Sequence, residues 1–235
     1  MIRKGFNINQ FVDKDIEYGE KAVYRYIERL AALFEKSPEG QALLAQDEDA
    51  DLWWANAMLE YAMIYVEASP PEITTDDLRE VLFDLFPRKV STPEGFDGEK
   101  VVRTLRAFWS FLKREFGLPN ADACLRFLDD RTARRMDKEM NDPSNFGMAK
   151  TVVMMGAERG FDMGKQEDVD QWMATFDEEF AIDMGAPPGV GIPFPWPGGY
   201  DLLDSTGHSH TRRTSDKERR KRKLAESSRK KNRRK

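Results

Sequence analysis

Arg219-Arg220-Lys221-Arg222-Lys223 is a run of five consecutive cations, and Arg229-Lys230-Lys231 and Arg233-Arg234-Lys235 follow close behind. With Arg212, Arg213 and Lys217 they bring the stretch from Arg212 to Lys235 to 14 basic residues, against only Asp216, Glu218 and Glu226. Guanidinium and ammonium groups neutralise phosphates and release condensed counterions, so such a run binds a polyanion without a folded site. The expected partner is RNA or DNA, or the ribosomal surface. Little sequence specificity is expected, because this tail has no aromatic residue to stack on a base. Ser215 and Glu218 have capping-box spacing, so the segment is expected to turn helical when bound. In a eukaryotic cell the two clusters would read as a nuclear localisation signal. Arg212-Arg213-Thr214-Ser215 would then be a phosphorylation site that weakens the charge locally. The competing readings are a tail that contacts the chain's own acidic body or an acidic protein, and a solubilising tail with no defined partner.

The rest of the chain holds 23 basic and 39 acidic residues, so a body of net −16 carries a tail of net +11 within a whole-chain charge of −5. Asymmetry of this size points to nucleic acid, a membrane surface or a dedicated tail partner. Groups for ordinary catalysis are scarce. Both histidines, His208 and His210, lie near the C-terminal end, and the single cysteine is Cys124. The body therefore lacks the imidazole that Ser-His-Asp and Cys-His catalysis require. It also lacks the ligand sets of Cys/His zinc sites and of helical di-iron sites. Gly185 to Gly191 is glycine-rich, but its prolines remove the backbone donors a phosphate loop needs. Carboxylate-only chemistry stays open. Asp177, Glu178, Glu179 and Asp183 are its densest set, and an exposed acidic helix end explains them equally well. The expectation is a non-enzymatic protein with no cofactor and no metal.

A second candidate is Gly191-Ile-Pro-Phe-Pro-Trp-Pro-Gly-Gly-Tyr200. Phe194, Trp196 and Tyr200 lie close together among prolines, as in a ligand for an aromatic-lined groove on a partner. The competing reading is an extended strap whose rings pack on the helices. Eight of the 11 methionines fall between Met136 and Met184. They suit an adaptable groove, and they suit core filling as well. Cys124 has apolar neighbours at helical spacing and reads as an inert core thiol.

These groups need a scaffold, and the scaffold is helical. Helices are expected over 13–36, 39–46, 51–68, 76–86, 99–116, 121–140, 144–159 and 165–184, from apolar residues three and four apart. Thr75 is expected to cap the fourth and Asn120 the sixth, with Gly117 closing the fifth. The last two, joined by Gly160 to Gly164, resemble a helix-turn-helix in outline, but phosphates would repel so acidic a second helix. The expected architecture is all-α. It comprises a compact domain of seven or eight helices over about 10–184, with a possible seam at 88–98. A Pro/Gly/aromatic strap over 185–204 and a disordered basic tail over 205–235 follow it. The most apolar stretch, Leu52 to Val66, is broken by Asn56 and Glu60, so no membrane span is expected. Met1 to Gly19 has no apolar run of a leader peptide, and a cytoplasmic protein is expected. The alternative function is a protein–protein adaptor that uses the acidic helical body, with the tail accessory.

Overall fold

The computed structural model describes residues 5–12, 19–46, 50–92 and 95–183, without the side chains of Glu20 and of 177–183. Among the described residues the fold is all-helical. The elements are α1 (Glu20–Glu35), α2 (Pro38–Gln46), α3 (Trp53–Ile64), α4 (Thr75–Glu80), a π turn (Val81–Leu85), α5 (Phe86–Lys89) and α6 (Gly98–Phe116). Then come α7 (Ala121–Phe127), α8 (Asp130–Asn141), a 3-10 turn (Pro143–Asn145), α9 (Met148–Glu158) and α10 (Gln166–Asp183). No helix among the described residues is long and apolar enough to cross a membrane.

α6 organises the body. Its apolar stripe puts Val101, Leu105, Phe108, Trp109 and Leu112 in the core, each essentially inaccessible. Burying side chains of this size contributes roughly 1.5–3 kcal/mol apiece. Asp97 starts the helix by accepting from the amides of Glu99 and Lys100, and Gly117 ends it at φ 64°. A residue with a Cβ is strained at that angle. Arg114 reaches Glu39 through two bonds of 2.6 and 3.0 Å, tying α6 to α2. At the other end of the helix the Gly98 N–H donates to Asp137 at 2.7 Å, and a Cβ on Gly98 would collide with the Ala133 carbonyl. Only glycine lets α6 and α8 approach so closely. One buried cluster runs from Ile8 to Met140, on both sides of residues 88–98.

Several boundaries differ from the periodicity reading, each for a local reason. The expected helix 76–86 starts at Thr75 and is capped one residue earlier, by Thr74. Thr74 and Asp77 form a reciprocal capping box. The same rod runs on through Pro87 to Lys89. A proline ring clashes with the carbonyl four residues back and has no N–H to give. The π turn ahead of it widens the ladder, so that Phe86 N–H reaches Val81. The expected single helix 121–140 is two. Leu128 leaves helical geometry, and Asp129 begins α8 by accepting from the amides of Arg131 and Thr132. That break makes nine helices among the described residues, counting α4 to α5 as one, where seven or eight were expected. Asn120 stands at the N-cap of α7, yet its side chain donates instead to the carbonyls of Pro70 and Ile73, at 2.9 and 2.8 Å.

α9 and α10 form a hairpin with its own small core, outside the main cluster. Val152, Val169 and Trp172 are buried there. The Trp172 indole N–H donates to the Val152 carbonyl at 2.8 Å. Its ring stacks near Phe161 and Phe176, and Arg159 lies over it at 4.8 Å. Gly156 makes the fit possible, since a Cβ there would sit 2.6 Å from the Met163 sulfur and 2.7 Å from the indole. The joint to the body is narrow. Gly147 N–H donates to Arg88 at 2.9 Å. Lys150, 1 % exposed, donates to the Met140 carbonyl at 3.2 Å and lies 4.0 Å over the Phe146 ring.

Candidate nucleic-acid interface

All 14 basic residues of the tail, and Phe194, Trp196 and Tyr200 of the strap, lie outside the described residues. His208, His210 and the side chains of Asp177, Glu178, Glu179 and Asp183 do so as well.

Within the described residues, basic side chains converge where α6 packs against the α7–α8 elbow. An open depression there, about 450 Å³, is lined by Val102, Arg106, Leu128, Asp129, Asp130, Arg131 and Arg134. The fold builds it in steps. Leu128 is buried at the elbow and supplies, with Val102, an apolar floor. Arg106 is fixed from α6 because its Nη1 donates to the carbonyls of Leu125 and Leu128, at 3.0 and 2.6 Å. These are the carbonyls left over as α7 ends, which a cation satisfies well. Arg131 and Arg134 stand three apart on α8, so they share a face. Neither guanidinium makes a hydrogen bond or ion pair among the described residues. The carboxyl of Asp129 is held below its usual range by the Thr132 amide and, next, by the Arg131 amide. Its charge therefore faces the start of α8.

The sequence does not advertise this cluster. Asp129 to Glu139 alternates in sign and reads as an ordinary solvated helix face. The usable signal is Asp129-Asp130 directly before Arg131: aspartate is a favoured helix cap, and a helix start there places Arg131 and Arg134 one turn apart on its exposed face.

Cys124 proves structural. Cys124 is fully buried, its Sγ 3.9 Å from the Ile73 carbonyl, and burial pushes the thiol up to about 12. A thiol held neutral in this way is an inert core residue, as expected. Met136 and Met140 fill the core, while Met148 is 62 % exposed on α9. The helix-turn-helix outline is a closed hairpin around Trp172, whose visible charges on α10 include Asp168 and Asp170. Among the described residues no three His, Cys, Asp or Glu side chains group as metal ligands would.

No protein family, curated protein or solved structure matches this chain.

Proposed function

We propose that this protein associates with RNA or DNA through Arg212–Lys235, in a non-enzymatic role. The observation that carries the reading is charge segregation: +11 in the last 24 residues, against −16 in the remainder. Phosphate contacts dominate such binding and make it steeply dependent on salt. The acidic body limits loose association by competing with phosphates for the tail, or holds a second partner.

The test is fluorescence anisotropy with labelled single- and double-stranded RNA and DNA, comparing the full chain with one ending at Thr211 across a salt series. With six to ten phosphates engaged, affinity falls roughly 10³- to 10⁵-fold between 50 and 200 mM salt, and log affinity falls linearly with log salt. Equal binding by the shortened chain would sink the proposal. The adaptor reading draws on the same −16 body. It expects a partner that stays bound after nuclease treatment and after loss of the tail.

A further inference from the structure

Residues 121–141 are neutral in sequence, with five acids and five cations. The fold treats the two signs differently. Asp122 pairs with Lys113 of α6 at 2.6 Å. Asp129 caps α8. Asp137 accepts the Gly98 N–H. Glu139 accepts from Asn145 at 2.9 Å and from Arg135 at 3.4 Å. Of the five acids, only Asp130 has no such partner among the described residues. The five cations, Arg126, Arg131, Arg134, Arg135 and Lys138, are all exposed. A carboxylate that already faces a helix start or a cation has much of its field offset. Arg135 is itself paired with Glu139, and Arg126, Arg131 and Lys138 stand near Asp122, Asp129 and Asp142, so the elbow's basic surface is centred on Arg134, Arg131 and, from α6, Arg106.

The same surface carries arginines laid on rings. The Arg135 guanidinium lies 4.1 Å from the centre of Phe83, and Arg79 lies 5.3 Å from Phe127. The two rings are 6.0 Å apart, so the four side chains form one ladder across α4, the π turn, α7 and α8. Both arginine side chains are about half exposed, at 47 % and 50 %. A guanidinium held close over a ring is restrained in advance, with its outer side free to meet a second planar group, as bases stack on arginine.

We infer that the α7–α8 elbow docks a single strand of nucleic acid: Arg106, Arg131 and Arg134 take phosphates in the depression, while Arg79 and Arg135 stack on unpaired bases. The inference rests on the nucleic-acid reading and adds what the tail lacks, a platform for bases. The tail captures any phosphodiester chain, and the elbow selects strands whose bases are open.

The experiment uses the full chain, a labelled single strand and the matching duplex, in a salt series with three variants. Arg131→Gln with Arg134→Gln lowers single-strand affinity about tenfold and flattens the salt slope by about 1.4, the value for two lost phosphate contacts on a single strand. Arg135→Lys keeps the charge and removes the plane. It lowers single-strand affinity about threefold, leaves the salt slope unchanged and narrows the preference for single strand over duplex. The third variant replaces residues 219–223 with Gln and reports on the tail alone. Wild-type affinity and slope in the Arg131/Arg134 variant overturn the elbow site, and loss of binding in the tail variant then leaves the tail reading standing. Wild-type binding by the tail variant, with the expected loss at Arg131/Arg134, sinks the tail reading and supports the elbow. An equal loss for single strand and duplex in Arg135→Lys overturns the stacking role. Melting temperatures of the Arg131/Arg134 variant match wild type, since neither side chain has a bonding partner to lose.

Discussion

Trp109 and Trp172 are both fully buried, one in the body and one in the α9–α10 hairpin, and their surroundings differ. Trp109 sits in the middle of α6 inside a core continuous across α1 to α8, and its indole nitrogen has no hydrogen-bond partner among the described residues. Trp172 has its nitrogen satisfied by Val152, but it closes a small core whose other walls are Phe161, Phe176, Gly156 and Met163. A large shared core makes residues unfold together, while a small one behind a narrow joint opens by itself. The polar satisfaction of a side chain thus says little about how much of the molecule depends on it. The connectivity of its apolar contacts says more.

The sharpest way to break this comparison is to truncate each tryptophan. Trp109→Ala and Trp172→Ala each remove a fully buried indole, at a cost of about 3–5 kcal/mol to the region that holds it. In amide hydrogen exchange, Trp109→Ala speeds exchange throughout α1 to α8. Trp172→Ala speeds it in α9 and α10 and leaves α6 protected. If both variants lose protection uniformly, the two regions form one cooperative unit.

Lys150 gives a smaller effect at the joint. Burial lowers its amine from the usual lysine value to about 8. Below pH 8 both the docked and the unfolded chain carry the proton, and the cost of burying the charge is present in full. Between pH 8 and 10.5 the docked amine has lost its proton while the unfolded one keeps it. The unfolded state then binds more protons, so stability rises with pH across that window, by up to about 3 kcal/mol. Lys150→Met removes the rise and stabilises the joint at pH 7 by about 1–3 kcal/mol, as chemical denaturation at several pH values would read. A variant that keeps the rise would show that another group titrates.

The smallest expected effect is Thr74→Ala, about 1 kcal/mol from the lost capping box. It appears as a lower midpoint for the body, with hairpin exchange unchanged.

The helical class and most of its elements were legible because the apolar residues of α1, α3 and α6 recur at the helical period and Gly117 marks a stop. What escaped depended on contacts between distant residues. Whether Asn120 caps its own helix or ties down the Pro70–Ile73 turn is decided by what lies 50 positions away. Whether a helix passes Pro87 depends on a π turn that no apolar pattern announces. The basic tail was legible because charge of one sign is a local property. The arginine surface was hidden because its acids and cations cancel along the chain, and only the fold sets Arg131 and Arg134 beside Arg106 of α6.

The lone thiol of Cys124 has a practical consequence. Its sealed position in the body means that a thiol reagent reacts only when the body opens, so the labelling rate is a clock for that opening. Fraying of α9 and α10 leaves the clock still. A single mass measurement against time would therefore read the body's lifetime separately from the hairpin's, with no added probe.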